Sequence, residues 1–307
     1  MNIYLAQALR NYYHYHLEEI RKRSFEEYPL DDYLSVMYWT EKQFVKAISS
    51  LINSSLDNSG LLLSIPARSY VELLNVKESS DKYRPTLYDI IAHAGIALYE
   101  SLEQDISNSY RPICKDPRVF SPVKEFMDLD PESIQGYDLS HGMMKQRIAL
   151  YQALLKNHGS DNDQSAFTDA NIQRMLGLSS GFEHPFKDSL LIEALISIGN
   201  DSRFNTATPH ALYEAALYCA NTDQNKRAVA LCQEVIKRFP GSFANEQSTA
   251  LLGRLRNKSL NLTLQKQIIP DKPFLFRTEF TNVDKIFCRI YLLTESIEQQ
   301  LKSQRYR

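Results

Sequence analysis

The residues of this chain best suited to chemistry are its four cysteines: Cys114, Cys219, Cys232 and Cys288. None of them belongs to a Cys-x-x-Cys pair, and none has a histidine at the spacing of a metal site. Cys219 and Cys232 lie on the apolar stripes of two neighbouring predicted helices, so their thiols could approach each other. Two interpretations stay open for this pair, namely small side chains of the core or a disulfide bond.

The histidines and carboxylates form no recognisable catalytic pattern. His14 and His16 are two positions apart and would point to different faces of a helix, whereas a helical metal pair needs positions i and i+4. His93 lies beside an apolar stripe, where a packed or half-exposed histidine is expected. The sequence shows no Gly-rich phosphate loop and no nucleophile elbow, and carboxylate pairs can be drawn from any helical chain with 37 acidic residues. We therefore predict a non-enzyme without catalytic, cofactor-binding or metal-binding residues.

Composition excludes further classes of protein. A chain of 307 residues with 43% hydrophobic residues can bury a sizeable core and has room for two domains. The formal charge of -2 and the lack of a long basic block argue against a nucleic-acid partner. The basic clusters at 21–23 and 302–307 are interpreted as solvated faces.

No run of 18 apolar residues occurs, so no membrane span is predicted. The first 23 residues lack the basic leader of a secretory signal. If the chain is complete as given, we expect a cytoplasmic protein. If it belongs to a longer exported chain, we expect the periplasm or the cell envelope.

The elements that must position these residues are mostly helices, and the segment 209–255 shows the pattern best. It predicts two antiparallel helices joined by a polar turn at 221–225, followed by the start of a third helix. The apolar stripe of the second helix recurs at helical spacing: Ala228, Leu231, Cys232, Val235, Ile236 and Phe239. Small residues at fixed offsets and Pro240 at the helix end predict a tetratricopeptide-like unit of about 34 residues.

Other segments with helical spacing or helix-start signals complete a helical region. The predicted helices cover 2–23, 40–52 with a Thr40/Gln43 capping box, 70–74, 85–102, 122–127, 140–158, 168–176 and 187–198. The predicted stripe of the helix after Pro85 consists of Leu87, Ile90, Ile91, Ala94, Ala97 and Leu98. Residues 148–156 (IALYQALLK) echo 229–237 (VALCQEVIK) at an offset of 81, which favours an irregular repeat array.

After Leu255 the apolar period changes from helical to two residues. The segments 260–268, 274–280 and 286–292 predict three antiparallel, half-buried strands. A lone three-stranded sheet needs another layer on its apolar face, so we expect the native chain to continue past Arg307. The predicted domains are a helical repeat-like domain at 1–258 and an incomplete β-sandwich segment at 259–307.

Three segments together carry a family resemblance: YRPTLYDIIAHAGIALY at 83–99, the hairpin from ALYEAALYC to VIKRFPGS at 211–242, and the strands at 259–293. The chain resembles the helical N-terminal region of bacterial alpha-2-macroglobulin-like proteins, particularly those of the Bacteroidetes group. The resemblance implies a mainly α fold, an irregular tetratricopeptide-like hairpin array followed by the first strands of a macroglobulin-like β-sandwich. Thr281 departs from the family, which tends to carry Arg before the Asn of this strand turn.

Members of this family are usually exported multidomain proteins whose later domains trap or inhibit proteases. Some do so through an internal thioester made by a Cys-x-Glu-Gln motif. The only similar stretch here is Cys232-Gln233-Glu234-Val235, where Gln follows Cys directly and Val takes the fourth position. No thioester is therefore expected.

The resemblance implies a non-catalytic scaffold or interaction region of a protease trap or inhibitor, without a cofactor. Its expected partners are the other domains of the parent chain, with proteases or a peptide as further candidates. The alternative is a free-standing tetratricopeptide-like adaptor whose concave face binds a peptide. Asn171 and Arg174 are candidate groove residues for that adaptor, and a solvated helix face is the competing interpretation of both.

Overall fold

The computed structural model describes residues 2–23, 33–70, 82–105, 114–133, 138–201, 205–265, 269, 272–288, 294, 295 and 299. Over these residues the chain is mainly helical and includes a short two-stranded antiparallel sheet. The helices are α1 (Asn2–Tyr15), α2 (Leu17–Ile20), α3 (Glu41–Leu56), α4 (Ser59–Ser64), α5 (Leu87–Asp105), α6 (Val123–Met127), α7 (Asp138–His158), α8 (Ser165–Ser179), α9 (Lys187–Gly199), α10 (Thr208–Asn221), α11 (Asn225–Arg238) and α12 (Phe243–Arg256). Short 3-10 helices lie at Tyr33–Tyr38, Ala67–Tyr70, Pro117–Phe120 and Pro131–Ser133. The chain divides into two compact units, residues 1–251 and 252–307.

The helices of the first unit pack mainly against their neighbours along the chain. Helix α1 packs against α3 and α5, and α5 packs against α7 on its other side. From there α7 contacts α8, α8 contacts α9, α9 contacts α10 and α10 contacts α11. The core of this unit is therefore shared along a row of helices.

The best-patterned sequence signals are confirmed. Thr40 precedes α3, and its backbone N–H donates to the Gln43 side chain at 3.0 Å in the predicted capping box. Helices α10 and α11 form the predicted hairpin across a turn in which Asp223 has a φ of 59°. Ala228, Leu231, Cys232, Val235 and Phe239 of the predicted stripe are buried. Regular local spacing was sufficient to place this hairpin.

Two predictions near the amino terminus need correction. The helix predicted over 2–23 breaks at His16, so that α1 and the single turn α2 replace it. The sequence of residues 61–84, with Pro66 and a polar run at 77–82, predicts a loop apart from the short helix at 70–74, but this stretch begins inside helix α4 and continues into a 3-10 turn at Ala67–Tyr70. The helix predicted at 70–74 lies outside the described residues except for Tyr70.

Helix α5 was placed correctly, but its predicted stripe is wrong. Of that stripe only Leu98 is buried, whereas Ala97 is exposed. The buried residues are Tyr88, Asp89, Ala92, Gly95, Ile96, Leu98, Tyr99, Leu102, Glu103 and Asp105. Because α5 is covered on both sides, it buries carboxylates that are paired with distant residues. A stripe drawn from apolar residues alone cannot predict their burial.

The second unit holds a hairpin of β1 (Ser259–Leu264) and β2 (Phe276–Thr281). The strands pair antiparallel in a register that places Leu260 opposite Phe280 and Leu264 opposite Phe276. Residues 286–288 of the predicted third strand are not in a strand, and the rest of that prediction lies outside the described residues. The predicted half-buried alternation is also wrong, because every β1 residue is exposed.

Candidate functional site

The cysteines do not form a reactive centre. Cys219 and Cys232 are buried free thiols, so the structure supports the core interpretation of this pair and holds no disulfide between them. Burial raises the pKa of the Cys232 thiol to about 11. Cys232 lies on the buried stripe of α11, where neither an acyl donor nor a substrate reaches it.

The described first unit contains a cleft between α8 and α9, which we name the α8–α9 cleft. Its volume is about 390 Å³, within the range of about 300–1,000 Å³ typical of ligand pockets. The 3-10 turn Pro117–Phe120 and the start of α6 line one side of it, and the residues before α10 line another. Its main apolar lining residues are Phe120, Pro122, Val123, Phe167, Met175, Ala194 and Ile198.

Asn171 and Arg174, the two candidates named from the sequence, are both buried, which corrects the expectation of an exposed groove or a solvated face. Arg174 lies behind the cleft and donates to the Val119 carbonyl at 2.8 Å and to the Ser121 carbonyl at 3.0 Å. Its guanidinium also stacks on the Phe126 ring, 4.2 Å from the ring centroid. Burial lowers the pKa of Arg174 to about 9.

Arg174 also fixes the orientation of Asn171. Its Nε and Nη2 donate to the Asn171 side-chain oxygen at 3.1 and 2.6 Å. Since a guanidinium carries only donors, this oxygen must face Arg174 and the amide nitrogen must face elsewhere. Asn171 lines the cleft, and its Nδ2 has no hydrogen-bond partner among the described residues.

Gln164, the residue before α8, and Thr168 of α8 line the cleft together with Asn171. The Gln164 amide nitrogen donates to the Asp161 carbonyl at 2.6 Å and to the His158 carbonyl at 3.3 Å. The Gln164 Oε1 is then the end of that side chain left without a partner in the described part of the chain. Thr168 accepts from the Asn205 amide at 2.8 Å, which ties α8 to the segment before α10.

The described residues at the rim of the cleft carry one charge of each sign, Lys124 on α6 and Asp201 after α9. Both residues are exposed. The apolar lining and these opposite charges suit a neutral ligand better than a phosphate, which needs several donors or cations. The cleft can therefore hold an apolar group and hydrogen-bond its flanking polar atoms.

A second buried polar cluster joins α5 and α7. The His158 Nε2 lies 2.8 Å from the buried Asp89, and its Nδ1 lies 2.7 Å from Asp161. Thr86 donates through its N–H and its hydroxyl to the other Asp89 oxygen, each at 2.8 Å. This cluster has a structural role, because one oxygen of Asp89 joins α5 to α7 through His158 and the other is engaged by Thr86 at the start of α5.

Sequence reasoning missed most of the cleft. Gln164 and Thr168 are ordinary helix residues by type, and only their spacing at i, i+4 and i+7 with Asn171 marks one face. The opposite wall comes from residues 117–124, in the proline-broken connection before α7. Nothing local in that connection indicates that it returns to α8.

No protein-family model, curated protein or solved structure matches the chain. Among the residues that the structure describes, no group of three or more His, Cys, Asp or Glu could hold a metal ion. None of the described helices combines the length and the apolarity that a membrane crossing requires.

Proposed function

We propose that this chain is a non-catalytic helical scaffold region of an alpha-2-macroglobulin-like protein, and that the parent protein is a protease trap or inhibitor. The observation that supports the proposal is the exposed apolar face of the β hairpin. Cross-strand partners share a face, and this face gathers Leu260, Leu262, Leu264, Phe276 and Phe280. Their side chains are 48–59% exposed.

An isolated two-stranded hairpin is marginally stable in water, and exposed apolar faces usually mark a contact with another surface. The second sheet of a β-sandwich would cover such a face at a spacing of about 10 Å. This favours a role in which the hairpin packs against a further layer of the parent protein. The partners proposed from the sequence, other domains of the parent chain and a target protease, fit this role.

The hairpin is also anchored to the end of α12, within the second unit. Asn282 has a φ of 55°, and its side-chain amide donates to the carbonyls of Leu255 and Asn257 at 2.7 and 2.9 Å. The last carbonyls of a helix lack partners within the helix, so this side chain satisfies groups that would otherwise need water. A hairpin held in this way is suited to begin a β array directly after a helix.

An immunoblot of the source cells tests the proposal. With antibodies against residues 1–251, we expect a band far larger than the 35.4 kDa of this chain, in the periplasmic or envelope fraction. The purified native protein should retain an added protease such as trypsin. A cytosolic band near 35 kDa that binds no protease would refute the proposal.

A further inference from the structure

We propose that the α8–α9 cleft binds an extended, uncharged peptide segment. The Asn171 amide would hydrogen-bond this peptide, and the apolar lining of the cleft would contact its side chain. The scaffold role does not require this site, so the inference goes beyond it. A free-standing adaptor, the alternative function considered above, would use the same site as its main one. The proposal rests on hydrogen-bonding side chains of the cleft whose orientation is fixed by their neighbours.

The first element of the site is a donor with a fixed direction. Arg174 is completely buried and holds the Asn171 oxygen with two of its nitrogens. The Asn171 amide nitrogen cannot exchange places with the oxygen, since two donors would then face each other. The cleft therefore contains a preoriented N–H₂ group, which suits a carbonyl acceptor on the ligand.

The second element is an acceptor two helical turns away. The Gln164 nitrogen is engaged by two carbonyls, so its Oε1 is available to accept from a ligand N–H. Seven residues of helix separate Gln164 from Asn171, which places them roughly 10 Å apart along the axis. An extended peptide of three residues spans about 10 Å, so its main chain can reach both groups.

The third element is the apolar volume between these groups. Phe120 and Val123 come from residues 117–124, while Met175 and Ile198 come from α8 and α9. A volume of about 390 Å³ accommodates one large aliphatic or aromatic side chain with its flanking peptide groups. Within the described part of the chain the charged lining residues are Lys124 and Asp201, whose charges are opposite, so strongly charged peptides gain little from them.

The experiment selects peptides on the whole 307-residue chain. A phage-displayed library of random ten-residue peptides is the probe, and synthetic copies of the enriched peptides are then measured by fluorescence polarisation. We expect enriched sequences with few charges around one large aliphatic or aromatic residue. Failure to enrich any peptide relative to the blocked variant described next would overturn the proposal.

Two tryptophan substitutions at exposed positions test the site, and neither should greatly change the stability of the fold. Ser197 is exposed on α9 at the cleft, so Ser197→Trp should fill the cleft and weaken binding about tenfold or more. Ser50 is exposed on α3 and does not line the cleft, so Ser50→Trp is the matched control and should stay within about twofold of the unmodified chain. Equal binding by both tryptophan variants would place the peptide elsewhere and overturn the proposal.

Asn171→Asp examines the donor itself. The aspartate keeps an oxygen for Arg174 but replaces the cleft-facing nitrogen with a second acceptor. We expect the midpoint of thermal unfolding to stay the same or rise, because the buried Arg174 gains a carboxylate partner. Peptide affinity should fall about tenfold or more, and unchanged affinity would refute the role of Asn171. If this variant does not fold, the Ser197→Trp comparison decides the proposal.

Discussion

The buried pair of His158 and Asp89 yields the most quantitative prediction. His158 is 4% exposed and Asp89 is not exposed at all, so neither group can exchange its partner for bulk water. In the His158→Ala variant, one oxygen of Asp89 keeps its contacts with Thr86, but the other loses its partner. Breaking a buried pair in this way costs about 3–5 kcal/mol of the free energy of unfolding.

The matched control is the other carboxylate that contacts the same ring. In Asp161→Ala the contact between His158 and Asp89 remains, and the ion pair that is lost has an acid that is 40% exposed. Asp161→Ala should therefore cost less than His158→Ala. Both variants lose the contact between His158 and Asp161, so the difference between their costs reports the loss of the buried His158–Asp89 contact and of the packing of the imidazole ring.

Urea unfolding at pH 6, followed by circular dichroism, measures both variants. The midpoint should fall much further for His158→Ala than for Asp161→Ala, at an unchanged slope. A cost below about 1 kcal/mol for His158→Ala, or equal costs for the two variants, would refute the reasoning. Either result would mean that Asp89 recovers a partner or water when His158 is absent.

The same pair predicts the direction of a pH effect. Burial alone lowers the pKa of His158, but hydrogen bonds to Asp89 and Asp161 outweigh burial and raise it above the usual value of 6.5. Because the folded state has the higher pKa, the stabilisation is complete below pH 6.5 and is lost as pH rises through the folded value. The His158→Ala variant should lose this alkaline dependence.

Three further predictions concern single side chains. Burial lowers the pKa of His93 to about 3, so stability should fall as pH drops from 6.5 toward 3, and His93→Gln should remove that part of the acid dependence in urea titrations. Gly177→Ala should lower the thermal midpoint by several degrees, since the new Cβ would lie 2.6 Å from the Tyr151 hydroxyl. Among the cysteines, the exposed Cys288 should react fast with Ellman's reagent, and the buried Cys232 only on unfolding.

Local periodicity predicted the elements whose partners are their chain neighbours. The α10–α11 hairpin was correct because each helix buries one regular apolar stripe against the other. The face of α5 was wrong because its burial depends on distant partners. Glu103 is buried since Arg147, 44 positions away, pairs with it, and no local pattern contains that information.

At the candidate site, too, contacts between residues far apart in the sequence could not be predicted from local patterns. Asn171 and Arg174 were chosen by type, and their placement was wrong because Arg174 turns inward to carbonyls of Val119 and Ser121. Those carbonyls lie more than 50 positions away, in a connection without a regular pattern. The two-residue period located β1 and β2 but also predicted a third strand whose described residues, 286–288, are not in one. It could not tell an apolar face that is covered within this chain from one that is exposed.

The β hairpin and the α8–α9 cleft differ in how strictly each can select its partner. The hairpin face of Leu260, Leu262, Leu264, Phe276 and Phe280 gains free energy from any apolar surface that excludes water, because the hydrophobic effect is not directional. The cleft contains a donor whose direction is fixed by Arg174, and a ligand without a carbonyl would leave that donor unpaired. Selectivity for a ligand is therefore expected at the cleft, and association without fine selectivity is expected at the hairpin.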